Sequence, residues 1–257
     1  MYLAKAHPHA RDKNILFEEG PHIYTIDGDS DYTSVTKWVH SHFPHFDPDK
    51  VIEKMMASKR WEQSKYFGME PEAIKEIWNK NGREASAAGT KMHYDIECFY
   101  NKSENKNDSV EYGYFKEFHR NFASLKPYRT EWMIYHKQLK LAGSIDMLFE
   151  NEDGSLQIYD WKRCKEIRKS NMFESASTEV VSHLPNANFW HYSLQLNTYK
   201  MMIEANYGKK VSDMFLICLH PNKPNYQRIK VPHLRAEMLD LVTLREEQLK
   251  KLNVSHY

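Results

Sequence analysis

The chain has 257 residues, 41% of them apolar and 28% charged, with 36 basic against 35 acidic side chains and a net charge of +1. That balance fits a soluble globular protein and excludes a disordered one, and the length suits one large domain. It neither advertises nor rules out nucleic-acid binding, because a basic groove can be offset by acidic surface elsewhere. No apolar run approaches the ~18–20 residues that span a bilayer. The first residues, MYLAKAHPHARDKN, hold no apolar h-region, so no secretory signal is expected. Cys98, Cys164 and Cys218 are scattered, with no C-x-x-C pair. They read as free thiols of an intracellular, reducing compartment (cytoplasm or nucleus) rather than a disulfide framework or a zinc ribbon.

In chain order, residues 15–36 carry short β-prone runs around the turn cluster DGDSD, predicting a small hairpin followed by a helix near Thr36. Residues 49–80 alternate helical patterns with turn signals, and Met69-Glu70-Pro71-Glu72 resembles a helix start with Pro in the first turn. A helix is predicted over 84–100, then the polar loop NKSENKNDS. The next helix, 110–125, puts Tyr114, Phe118, Phe122 and Leu125 on one face and is expected to end at Pro127. YRTEWMIYHKQ reads as a strand, and GSIDMLFENEDGSLQIYDWKR as two strands joined by a turn. A loop or broken helix covers 164–187, a helix 188–206, strands VSDMFLICLH and NYQRIKV, and a terminal helix 233–252 with Leu234, Met238, Leu241 and Leu249 inward. This order predicts an α/β fold, a mixed sheet with helices on its faces, with the N-terminal third a helical elaboration. We expect one domain: an N-terminal part over 1–84, a core over 85–232 and a C-terminal helix over 233–257.

The hairpin poses a chemical question, because Asp146 interrupts its first apolar run while Asp160 and Lys162 end the second. Strand alternation puts Asp160 and Lys162 on one face and Trp161 on the other. It sets Asp146 opposite to Ile145, Met147 and Phe149. An antiparallel pairing brings Asp146 beside Asp160. Two carboxylates ~4 Å apart repel by about 4 kcal/mol at an effective dielectric near 20. A lysine offsets part of this; a divalent cation, Mg2+ or Mn2+, offsets it more fully. An isolated Asp-x-Lys is usually a surface ion pair. Here it has company: His93, which shares a helical face with Gly89 and Glu97; Glu131 on the strand before the hairpin; and Gln195 and Tyr199, spaced i, i+4 on the helix after it.

Taken in order, Gly89-Thr90-Lys91-Met92-His93 with Glu97, Gly143-Ser144-Ile145-Asp146, Asp160-Trp161-Lys162, and Gln195 with Tyr199 resemble the RecB-like branch of the PD-(D/E)XK nucleases. That branch includes phage exonucleases and the mitochondrial genome maintenance exonuclease. Tyr32-Thr33-Ser34-Val35-Thr36 is similar to an element near the start of many phage members. The matched motifs span residues 89–199. The resemblance implies a restriction-endonuclease-like αβββαβ core and a metal-dependent deoxyribonuclease, most simply an exonuclease in recombination, repair or genome processing. It implies metal ligation by His93, Asp146, Asp160 and the Trp161 carbonyl, with Lys162 as catalytic lysine. Gln195 and Tyr199 would support the site, and Glu131 would have a less defined part. Only Cys218 follows the Gln-x-x-x-Tyr helix, so no iron–sulfur cluster is expected. Arg163, Lys165, Arg168 and Lys169 follow the site and are expected to hold DNA phosphates. Phe189, Trp190 and Tyr192 offer rings to stack on single-strand bases, or pack in the core. The chain lacks a phosphate-binding Gly-rich loop, leaving room for a separate helicase or recombination partner. The family's distribution is compatible with a viral or phage source.

Three other readings stay open: a structure-specific or single-strand endonuclease, a catalytically idle nucleic-acid-binding module on the same fold, and a zinc site in HSHFPHFD from His40, His42, His45 and Asp47. The last has a spacing that matches no common structural zinc pattern. RNA is as compatible as DNA with the visible residues, since nothing evident reads a 2′-hydroxyl.

Overall fold

The computed structural model describes residues 1–254, with side chains to Leu252. In chain order it contains α1 (Tyr2–Ala6), β1 (Ile15–Glu18), β2 (Ile23–Ile26), β3 (Thr33–Ser34), α2 (Val35–His40), α3 (Pro48–Met56), α4 (Pro71–Tyr100), α5 (Val110–Asn121), β4 (Lys126–His136), β5 (Leu141–Glu150), β6 (Leu156–Lys162), α6 (Asn188–Asn206), β7 (Val211–Cys218), β8 (Gln227–Lys230) and α7 (Arg235–Val254). β1 and β2 form a separate hairpin; the main sheet runs β3-β5-β6-β7-β8, with β4 also paired to β5. The β3–β5 and β6–β7 pairs are parallel and the others antiparallel, so the sheet is mixed, as expected.

The sheet buries a different apolar layer on each face. On one side Met92, Ile96, Phe115 and Phe118 of α4 and α5 pack on Met147, Phe149, Tyr159 and Trp161. On the other, residues of α2, α6 and the segment leading into α7 pack on Ile145, Leu148, Leu156 and Ile158. The β1–β2 hairpin joins a third cluster with Tyr135 and Ala142. Burying one large apolar side chain in such layers contributes roughly 1.5–3 kcal/mol.

β5 organises the site. Its open edge pairs with β3 at Leu141 and Ala142, and with β6 only from Met147 to Glu150. The four residues between, Gly143–Asp146, have no ladder partner on that edge. Three details differ from the sequence expectations. α4 starts at Pro71 and runs unbroken to Tyr100, so the boundary expected at 84/85 falls inside a helix. The stretch 79–87 is exposed on every side and has no buried face to reveal a helical period. Pro127 does not end α5, which stops at Asn121; it lies in β4, at the register shift between Pro127 and Arg129, where a missing N–H is tolerated. The third is the hairpin's alternation. Ile145 packs in the α6-side layer but Met147 and Phe149 in the α4/α5-side layer, so the pattern breaks at Asp146.

Candidate active site

The break has a local cause. Glu131, inside β4, has φ +43°, a left-handed conformation that costs a non-glycine residue about 1–2 kcal/mol. Its neighbours Thr130 and Trp132 lie opposite Met147 and Ile145, so Glu131 and Asp146 face each other across the β4–β5 ladder. Where β5 and β6 fork, Asp146 Oδ2 accepts a 2.8 Å hydrogen bond from the Trp161 N–H. The carboxylate thus replaces a missing ladder partner and holds the fork open.

His93 enters from α4. Its Nδ1 lies 3.6 Å from Glu131 Oε1 and 3.5 Å from Asp146 Oδ2, and its Nε2 is 2.8 Å from the Trp161 carbonyl oxygen. Glu131 Oε2 accepts a 2.9 Å hydrogen bond from Ser144. Among the described residues, His93, Glu131 and Asp146 are the one group of three whose ligand atoms converge, all within 4.8 Å of one another. Burial pulls the imidazole pKa down, but the charges of Asp146 and Glu131 override it and raise it to about 9.

Asp160 and Lys162 project toward α6, as their shared parity requires. Lys162 Nζ is 2.7 Å from Asp160 Oδ2 and 4.6 Å from the centre of the Tyr192 ring. The contact is short but poorly aligned, and Asp160 Oδ2, fully screened from solvent, lacks a hydrogen bond of proper geometry. Burial pushes the Asp160 carboxyl up to about 6, with Asp146 adding to the rise and Lys162 opposing it. Burial also disfavours the Lys162 ammonium, but Asp160 and Asp146 outweigh it and raise its pKa. Asp146 is raised by burial as well.

Gln195 and Tyr199 reach the same place from α6. The Gln195 amide donates to Tyr199 Oη at 3.3 Å and to Thr36 Oγ1 at 3.4 Å, which ties the Thr33–Thr36 segment to the site. The Tyr199 ring lies on Gly143; a Cβ there would sit 2.8 Å from Tyr199 Cε1. Glycine at 143 is therefore a packing requirement: the unpaired stretch of β5 is covered by a tyrosine that only a bare backbone admits. An opening of about 640 Å3 beside His93 is lined by Glu19, Gly89, Glu97, Glu131 and Ser144, among others. Burial and the Glu131 charge push Glu97 up to about 7.

The structure therefore brings His93, Glu131, Asp146, Asp160, Trp161, Lys162, Gln195 and Tyr199 to one junction. The flanking cations divide. Arg163 is turned to α5, where its Nε donates to Glu111 at 2.7 Å. Lys165, Arg168 and Lys169 are exposed, Arg168 pairing with Glu166 and Lys169 lying over the Phe189 ring. Phe189 is buried, and Trp190 donates its indole N–H to the Lys169 carbonyl. The histidines of HSHFPHFD do not converge on a metal: His42 turns inward to Thr178, while His40 packs on His191. Sequence reasoning missed the parts played by Ser144 and Gly143, because a hydroxyl next to a glycine gives no signal until Glu131 and Tyr199 are placed against them.

No curated protein matches the chain. Among solved structures, that of SSO0001 is similar over 86% of this chain and 76% of its own, at 13% identity and a TM-score of 0.37. A protein from Eubacterium rectale, provisionally described as an exonuclease, is similar over 86% of this chain and 79% of its own, at 11% identity and a TM-score of 0.39. A family model, that of the PD-(D/E)XK nuclease superfamily, matches residues 50–254. The matched span encloses the whole forked junction of β4, β5, β6, α4 and α6, and on it the chain belongs to the PD-(D/E)XK nuclease superfamily.

Proposed function

We propose that this chain is a single-domain, Mg2+- or Mn2+-dependent deoxyribonuclease of the RecB-like branch, working as an exonuclease in DNA recombination, repair or genome processing. The observation that carries the reading is the convergence of His93, Glu131 and Asp146, their ligand atoms within 4.8 Å of one another, beside the Asp160–Lys162 pair whose charges act on Asp146. Such a set fits a hard divalent cation.

Asp146 and His93 belong to either of two donor sets. We assign the cation to the set completed by Asp160 and the Trp161 carbonyl. His93 Nε2 and that carbonyl oxygen, 2.8 Å apart, are spaced like neighbours around an ion with bonds of about 2.0–2.1 Å. Asp160 Oδ2 is a buried oxygen still short of an aligned partner. Glu131 Oε1, 3.6 Å from His93 Nδ1, then stands as the carboxylate behind a ligating imidazole. The other set, His93 Nδ1 with Glu131 and Asp146, is favoured by its convergence within 4.8 Å. Comparing variants of Asp160 and Glu131 separates the two.

When bound, the cation polarises the phosphoryl group and makes water more acidic. Lys162, held between Asp160 and the Tyr192 ring, offers N–H donors to the negative charge that develops on phosphate oxygens. Asp160 fixes the direction of that ammonium. Gln195, anchored to Thr36 and Tyr199, closes the α6 side. Lys165, Arg168 and Lys169 are exposed and would meet phosphates of the bound strand, Arg168 after leaving Glu166. Hydrolysis adds water to phosphorus and breaks the opposite P–O bond; water loses a proton and the leaving oxygen gains one.

The test is cleavage of linear duplex, circular single-stranded and nicked circular DNA by purified protein with Mg2+ or Mn2+. Activity on ends only, abolished by EDTA and by Asp146→Asn, is expected. Cutting of the closed circles makes the protein an endonuclease, and no cutting of DNA or RNA under any of these conditions leaves it an idle binding module.

A further inference from the structure

A second opening, of about 520 Å3, lies on the α6 side of Lys162. One wall is the α2–α3 connection and the start of α3, with His40, Phe43, Phe46, Lys50 and Lys54; the other is His191, near the start of α6. Tyr192, next to His191 on α6, carries Lys162 Nζ 4.6 Å from its ring centre, so the inner end of this opening adjoins the reacting centre. Resting on the nuclease reading above, we propose that it is the subsite for one unpaired nucleotide of the strand being cut, its base stacked on Phe46 and the imidazole wall and its phosphate facing Lys54.

The walls are aromatic where a base needs a face. The His191 ring centroid is 4.0 Å from that of Phe43 and 5.4 Å from that of His40. Phe46 lines the opening, 5.9 Å from the Trp78 ring between centroids, and is 69% exposed. The imidazole is also oriented. Asn186 donates through Nδ2 to Glu174 at 2.9 Å, so its Oδ1 accepts from His191 Nε2, also at 2.9 Å. That leaves His191 Nδ1 as a bare acceptor on a ring that burial keeps uncharged, its pKa lowered to about 4. An uncharged ring with an acceptor suits a nucleobase better than a phosphate.

Charge is placed separately. Asp47, which caps α3, is matched by Lys50 at 3.2 Å, and Glu174, the other carboxylate of the lining, accepts from Asn186, while Lys54 is exposed and has no ion pair among the described residues. The occupant is limited by shape. The volume falls within the roughly 300–1,000 Å3 of small-ligand clefts. A base in a duplex shows its edges in the grooves and keeps its faces stacked. To lie on Phe46 it must be unpaired. The pocket thus gives a reason for the enzyme to engage single strands or frayed ends.

The experiment uses the full chain in EDTA, so that nothing is cut, and a fluorescent ten-residue oligodeoxythymidylate as probe, read by anisotropy. Phe46→Ala and Lys54→Ala alter exposed side chains, and melting temperatures check that both fold like the wild type. We expect each to weaken binding at least fivefold, Phe46→Trp to restore it, and unlabelled deoxythymidine 5′-monophosphate to compete with the probe. With metal, the same variants should raise KM while kcat stays within about twofold. Binding unchanged within twofold in both alanine variants overturns the subsite, as does tenfold tighter binding of a blunt hairpin duplex than of the single strand. If the wild type binds the probe in a Phe46-dependent way but cuts no nucleic acid, the subsite stands and the nuclease reading falls. If it cuts DNA while both variants match it, the reverse holds.

Discussion

The two openings that flank the charged junction have similar volumes, about 640 and 520 Å3, and different linings. The one beside His93 is lined by Glu19, Glu97 and Glu131; the one beyond Lys162 sets Lys50 and Lys54 against Asp47 and Glu174, with Phe46, His40 and His191 among them. On the first side burial and, after it, the charge of Glu131 push Glu97 up to about 7. A phosphate polymer meets three carboxylates there; on the other side Asp47 is matched by Lys50, and Lys54 has no ion pair among the described residues. Volume alone would not distinguish them; the aromatic lining and the unpaired Lys54 do, and they give the junction a direction.

The largest effects should come from the junction itself. Lys162→Ala and Asp146→Asn should each slow cleavage of labelled linear DNA by about 10²–10³-fold or more, because the first removes the ammonium that faces the reacting phosphate and the second a carboxylate that would hold the cation. A variant keeping a tenth of wild-type rate would place the chemistry in one of the openings instead. Next comes the side on which the cation sits. Titration with Mn2+ should show Asp160→Asn losing about 100-fold or more in affinity, and Glu131→Gln about 10-fold, the loss typical of an outer partner of a ligating histidine. The opposite ranking would move the cation to the acidic opening. A smaller effect should separate the two linings. Lys54→Gln should weaken DNA binding severalfold and flatten its dependence on log salt by about one unit, whereas Glu19→Gln should change it less than twofold. Equal effects of the two would erase the proposed direction.

How much of this was legible in the sequence depended on the kind of signal. Asp160, Trp161 and Lys162 were readable because strand parity is rigid, and Gln195 and Tyr199 because helix spacing is. The family pattern tied those to His93. Parity failed at Asp146, where a positive φ in Glu131, a residue that rarely adopts one, shifts the face of the strand opposite. The length of α4 was hidden because its middle is solvated all round. Arg163 could not be told from its neighbours in the basic run; only the placement of Glu111 on α5 shows that it is already paired. The aromatic opening joins His40 to His191 across about 150 residues of sequence, a pairing that tertiary packing alone creates.

The smallest predicted effect tests whether the acidic side is strained as well as charged. In a strand, Gly ordinarily destabilises relative to Ala, by roughly 0.5–1 kcal/mol, because it has more freedom to lose on folding. At position 131 the order should reverse. Glu131→Ala and Glu131→Gly both remove the carboxylate, the Ser144 hydrogen bond and the repulsion from Asp146, so these losses cancel in the comparison. What remains is the backbone: Ala must still occupy φ near +43° and pays about 1–2 kcal/mol for it, while Gly does not. Glu131→Gly should therefore be the more stable of the two by up to about 1 kcal/mol, read from urea midpoints with equal slopes. If Ala is the more stable, the left-handed turn of β4 is held by the glutamate side chain and relaxes when that is lost; the charge at this position, rather than the backbone, then sets the geometry that brings Glu131 to His93.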